Sequence, residues 1–196
     1  PLFTNEEKER YHELFVDMML YETGIYTLCG DKPVSISLLE DCEEVEDLRY
    51  IDRTKEKKYR LIDSWDHWLA KLPELGISKF LFVKKEIEGM PNVYNAFFVN
   101  IPATIDVLHR YYDVFVEEVG FHFDPEKIVY EIQDKDSEFW NRAFLLHSHI
   151  TKGLLHGFEY ENATKFADLN PTQMDGQLSN ILLPYEEINL YNFNLP

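Results

Sequence analysis

Hydrophobic positions along this chain recur at helical spacing in some stretches and at strand density in others. Tyr11, Leu14, Phe15, Met18 and Met19 share one helical face behind Thr4-Asn5-Glu6-Glu7. That tetrad reads as a capping box, the threonine oxygen and the Glu7 carboxylate each answering a free backbone N–H. It predicts a first helix from Asn5 to Tyr21, ended by Gly24. Ile25 to Cys29 and Val34 to Leu38 then read as two short strands around the turn Gly30-Asp31-Lys32-Pro33. Glycine permits positive φ there and proline cannot continue a ladder.

Leu61, Ile62, Trp65, Trp68, Leu69 and Leu72 mark a second helix, Thr54 to Leu72, closed by Pro73 and Gly76. Lys79 to Glu86 and Val93 to Asn100 are β-branched and aromatic runs that predict a second hairpin. Ile101, Ile105, Leu108, Tyr112, Phe115 and Val119 place one long helix up to Gly120. Asp124-Pro125 caps and opens a short helix through Ile132. Between Ser137 and Gly157, Phe139, Trp140, Ala143, Phe144, Ile150 and Leu154 fall on one face of a further helix. Glu161 to Leu169 is a last short one. The expectation is an α+β fold, about five helices packed on a small, mainly antiparallel sheet built from two hairpins. Residues 1–170 form a single domain in this reading, and 171–196 an irregular arm packed on it.

Charge narrows the partners. Thirty-six acidic residues against 19 basic ones leave a formal net charge of −17, which disfavours nucleic acid and anionic membrane, since both require positive surface. A basic protein partner suits it. No apolar run approaches the roughly 18 residues of a membrane span. Glu40 to Asp47 is an acidic run without the central glycine of a calcium loop. It reads as a solvated loop ahead of a charged helix face. Cys29 and Cys42 form one disulfide if the protein is exported and two free thiols if it is cytosolic. The chain opens on Pro1 without a methionine, so a signal peptide removed ahead of it is one expectation.

Candidate chemistry centres on histidines. His147 sits within the apolar stripe of the 137–157 helix, where it is either a neutral core residue or a general base. His149 and His156 point away from that stripe on ideal helical phase. Asp106, His109 and Asp113 project along one flank of their helix, a spacing able to hold a divalent cation. Glu9 and His12 resemble the Glu-x-x-His pairs of di-iron bundles, but Glu9 lies opposite the apolar stripe of its helix. Asp63 and His67 form an exposed i,i+4 pair opposite Trp65 and Trp68, whose default role is core packing. Gly-x-Ser-x-Gly, a phosphate-cradling glycine loop, His-Glu-x-x-His and Cys-x-x-Cys are all missing from the sequence.

Two stretches carry a resemblance. Tyr26-Thr27-Leu28-Cys29-Gly30-Asp31-Lys32-Pro33-Val34 and Lys152-Gly153-Leu154-Leu155-His156-Gly157-Phe158-Glu159-Tyr160-Glu161-Asn162-Ala163 resemble segments of uncharacterised, exported proteins from intracellular bacteria of the chlamydia and legionella kind. This chain departs from that pattern at Cys29, His156 and Glu159, where the segments carry an aromatic, an apolar residue and a glycine. The resemblance implies export after removal of an N-terminal signal and brings no activity with it. The functional expectation is a non-enzymatic binding or interaction module without a cofactor. The alternative is a hydrolase-like or metal-dependent enzyme with its site at His147 or at Asp106 and His109.

Overall fold

A computed structural model of the chain describes residues 2–16, 18–19, 24–40, 59–87, 90, 92–146 and 149–169. Its centre is the strand β3, Val93–Asn100, flanked by β1, Val34–Glu40, and β2, Phe80–Glu86, in the order β1-β3-β2 with both pairings antiparallel. Phe97 and Val99 point to one face of the sheet, Ala96 and Phe98 to the other, and all four are buried. An unbroken apolar run is what a strand covered on both faces requires. Lys84 and Lys85 lie on β2, an edge strand, where lysine discourages further pairing.

Nine helices are found among the described residues. One face of the sheet is covered by α1 (Asn5–Val16), α2 (Gly24–Leu28) and α3 (Leu61–Leu75). Tyr11, Leu14, Met18, Trp65, Trp68 and Phe98 form the core there. The opposite face is covered by α4 (Ile101–Arg110), α5 (Tyr112–Val119), α6 (Pro125–Ile128), α7 (Glu138–Trp140), α8 (His149–Leu155) and α9 (Tyr160–Leu169). The α+β class is therefore as expected, in three layers with the sheet in the middle. The capping box forms as read: the Thr4 N–H donates to Glu7 Oε2 at 2.7 Å, and the Glu7 N–H to Thr4 Oγ1 at 3.1 Å. Pro73 stands inside the last turn of α3, and Gly76, at φ 61°, closes it.

Four expectations are corrected. The expected first hairpin is absent: Gly24–Leu28 is helical, the Cys29 N–H bonding the Ile25 carbonyl at 2.8 Å just after it, and β1 pairs with β3 from Val34↔Val99 to Glu40↔Val93. Helix count exceeds five because α2 replaces an expected strand and two expected helices are composite. Tyr111, at φ −117° and ψ 29°, breaks 101–119 into α4 and α5. The 137–157 helix divides into α7, π-helical turns over Asn141–Leu146, and α8. Wider turns rotate everything that follows relative to ideal phase, so His149 and His156 are half-buried and not solvent-facing. The C-terminal arm, the acidic run at 40–47 and the start of the Thr54–Leu72 helix lie mostly or wholly outside the described residues.

One buried polar node fixes the loop after α2. Asn100 caps α4, its Oδ1 accepting from the Ala103 N–H at 3.3 Å, while its Nδ2 donates to the carbonyls of Thr27 and Gly30, each at 3.2 Å. Thr104 Oγ1 donates to the Pro33 carbonyl at 3.2 Å, and Thr27 and Ser35 hydroxyls bond each other at 2.7 Å. Because buried polar groups must be satisfied, this network ties loop 29–33 to the end of β3.

Candidate functional site

The residues expected to hold a metal do not converge. Asp106 pairs with Arg110 at 2.6 Å, and His109 meets Glu126 at 2.7 Å. Asp113 sits beyond the break at Tyr111, in the first turn of α5. Among the described residues no group of three His, Cys, Asp or Glu side chains is placed to hold an ion. Asp63 reaches Arg60 at 3.7 Å while His67 Nδ1 bonds the Tyr11 hydroxyl at 2.6 Å, so that pair is split between two partners. Glu9 and His12 are exposed. Trp65 and Trp68 are core residues. His147 and Cys42 lie outside the described residues, and Cys29 is exposed.

What the fold does bring together is the pair of stretches that carried the resemblance, about 120 residues apart in sequence. Gly157 ends α8 at φ 87°, a conformation glycine adopts without a Cβ penalty. A Cβ built there would lie 3.5 Å from both Lys32 Cγ and Pro33 Cδ. His156 packs its ring on Phe144, centroids 5.2 Å apart, and bonds the backbone of Val34. Lys152 places its ammonium 6.0 Å from the centre of the same Phe144 ring. Gly153 seats α9: a Cβ there would meet that of Ala163 at 2.9 Å.

Electrostatics at this junction runs against the rest of the molecule. Burial, then the charges of Lys32 and Lys152, push the His156 ring down to about 4, against the opposing hydrogen bond to Val34. Lys32 is itself lowered by burial. Ideal helical phase hid this site, since it turned His156 outward. The remaining signal was two lysines inside the quoted stretches, which no periodicity marks.

A second feature is acidic. On α5, Asp113, Glu117 and Glu118 are exposed and make no ion pair with any described residue. Asp113 and Glu117 are like charges four apart, which a helix disfavours. Glu117 and Glu118 stand in the last turn, where the helix dipole is negative and no basic residue of α5 compensates. Arg142 Nη1 donates to the Val119 carbonyl at 2.6 Å and answers one free helix-end carbonyl. No described helix is long and apolar enough to cross a membrane. No protein-family model matches the chain, and comparison with curated proteins and with solved structures returns no match.

Proposed function

We propose that the protein is a non-enzymatic interaction module whose acidic surface, centred on α5, docks a basic protein partner. The observation that carries this reading is the exposed carboxylate set Asp113, Glu117 and Glu118, unpaired among the described residues, with Glu117 and Glu118 crowding the negative end of α5. Natural sequences break local rules of this kind mainly where function asks for it. The overall charge of −17 supplies the long-range field that steers a cationic partner toward the surface.

The test uses a lysine-rich peptide as the probe and two variants of equal charge. Asp113→Asn/Glu117→Gln/Glu118→Gln is expected to weaken binding at least about tenfold more than Asp136→Asn/Glu161→Gln/Asp168→Asn, with a salt dependence reduced to match. The same α5 variant is expected to change stability by less than about 1 kcal/mol, because removing a like-charge pair and two unfavourable dipole contacts is offset by losing Asp113 from the first turn. Equal weakening by both variants would remove α5 as the docking face.

A further inference from the structure

We propose that the outer edge of β1 receives an extended segment of a basic protein, which joins the three-stranded sheet as an added strand through the backbone groups of Ile36 and Leu38. The ladders fix which groups those are. In an antiparallel pair, residues bonded to the neighbour alternate with residues that turn their backbone groups away. The Asn100 N–H bonds the Pro33 carbonyl at 2.8 Å, in the same register that sets Val34 opposite Val99. That bond sets the alternation: Ser35, Ser37 and Leu39 turn their N–H and C=O groups to β3, while Ile36 and Leu38 turn theirs outward. The second ladder agrees. The Ile87 N–H bonds the Val93 carbonyl at 3.0 Å, which directs Asn95 and Phe97 to β2 and leaves Tyr94, Ala96 and Phe98 for β1. No described residue bonds the backbone of Ile36 or Leu38 on its outer side.

The two edges of the sheet differ in a way that singles out β1. The opposite edge, β2, carries Lys84 and Lys85, a device by which proteins discourage an added strand. β1 has neither lysine nor proline between Val34 and Glu40. Its outward donors and acceptors recur at every second residue, a spacing that another extended backbone matches group for group. Val34 and Ile36 pack with the core of the α4–α9 face, and Leu38, half-buried, follows them at strand period. An added strand is therefore recognised by apolar residues opposite Ile36 and Leu38, with the residues between them free to carry charge. The net charge of −17 selects cations for those positions, and it disfavours a second copy of the chain, which would bring another −17 to the interface.

The experiment follows backbone amide exchange of the intact chain by NMR, alone and with an acetylated, amidated peptide of alternating lysine and valine. In the free protein the Ile36 and Leu38 amides are expected to exchange at least about tenfold faster than those of Ser35, Ser37 and Leu39. Saturating peptide is expected to slow Ile36 and Leu38 at least about tenfold and to leave Ser37 unchanged. With valines opposite Ile36 and Leu38, the valine amides face β1. N-methylation of the valine amides keeps the peptide's charge and is expected to weaken binding at least about tenfold, whereas N-methylation of the lysine amides has little effect. Ile36→Pro removes an outer N–H and no bond to β3, a position where an edge strand tolerates proline. It is expected to abolish the gain at Leu38 while protection of the Phe97 amide reports an intact sheet. If Ile36→Pro does not fold, the two N-methylated peptides decide. The proposal is overturned if Ile36 and Leu38 are as protected as Ser37 in the free chain, or if the peptide at its highest soluble concentration leaves them fast. It is equally overturned if both N-methylated peptides bind alike, or if protection rises with protein concentration alone, which would make a second copy the occupant. Asp113→Asn/Glu117→Gln/Glu118→Gln is expected to keep the difference between the two N-methylated peptides, so this edge and the α5 face fail separately.

Discussion

The two faces of the sheet bury their aromatic side chains in different ways. On the α1–α3 face, Phe82 and Phe98 meet Trp65 and Trp68 edge to face, and Tyr11 and Phe15 extend the pattern around Trp68, with centroids 4.8 to 6.2 Å apart. The indole N–H groups of Trp65 and Trp68 are buried there without an acceptor among the described residues. On the α4–α9 face the rings also touch, Phe115, Phe123, Phe139, Trp140 and Phe144 following one another at 4.6 to 6.3 Å, but in stacked and tilted as well as edge-on pairs, and the one tryptophan, Trp140, donates its Nε1–H to the Ile128 carbonyl at 2.7 Å. Edge-on ring pairs around two unsatisfied indoles mark one face; mixed ring geometry around a hydrogen-bonded indole marks the other. The contrast teaches that one sheet can be covered by two differently specified cores, since aromatic pairs add directional energy beyond buried area.

The sharpest way to separate the two faces is to empty one at a time from the shared strand. Phe97 and Phe98 are adjacent on β3, both essentially fully buried, and point opposite ways. Phe97→Ala and Phe98→Ala are each expected to cost about 3–5 kcal/mol in urea unfolding. Phe98→Ala is expected to be the larger loss, because its ring pairs with Trp65 at 5.3 Å and Phe82 at 5.6 Å, whereas Phe97 meets Phe144 alone, at 5.6 Å. A larger loss for Phe97→Ala would show that the mixed ring packing of the α4–α9 face is the stronger device.

Acid provides a second separation, because the faces lose stability in different windows. His156, on the α8 side, falls from its ordinary 6.5 to about 4 in the folded protein. Above 6.5 the ring is neutral folded and unfolded, and its stabilising effect is fully present. As pH falls from 6.5 toward 4, the unfolded chain takes up a proton that the folded chain refuses, and stability declines by about 3 kcal/mol in all. Glu7, on α1, is lowered below its ordinary 4.5 by the backbone and side-chain bonds from Thr4. Its contribution is present above 4.5 and is lost only as pH falls through the lowered value. Thermal melts from pH 7 to 4 should slope downward for the native chain and much less for His156→Leu. Amide exchange at the first turn of α1 should accelerate only at lower pH. Fraying of both regions together near pH 6 would contradict this assignment.

How much of this was legible in the sequence follows the same divide. Trp65, Trp68, Leu69 and Leu72 announce α3 because a long helix against a flat sheet keeps ideal phase. The β2–β3 hairpin was equally plain from its β-branched and aromatic runs. On the other face short elements dominate, and tertiary contacts set their ends. Tyr111 breaks its helix while stacking on Tyr160 and bonding Glu159, contacts almost 50 residues away in sequence that no local window contains. Ile25–Cys29 has strand composition, yet the buried positions of α2 are Gly24 and Thr27, three apart, and Thr27 is fixed by Ser35 and Asn100. The junction of loop 30–33 with the end of α8 depends on the π-helical turns before α8 and on a loop more than a hundred residues earlier. Neither leaves a periodic mark.

The smallest effect tests the hydrogen-bond half of the contrast directly. Trp140→Phe removes the indole N–H that satisfies the Ile128 carbonyl. Stranding that buried acceptor costs about 1–3 kcal/mol beyond the lost ring volume. Trp65→Phe loses a comparable ring from an equally buried position but strands no described acceptor, so its cost is expected to be lower by about that amount. Chemical denaturation of the two variants, corrected by Trp68→Phe as a second member of the unpaired class, measures the gap. If Trp65→Phe and Trp140→Phe cost the same, the Trp65 N–H has an acceptor in a segment outside the described residues. The indoles of the α1–α3 face would then be hydrogen-bonded as completely as that of its opposite, and only the mix of edge-on and stacked ring pairs would distinguish the two.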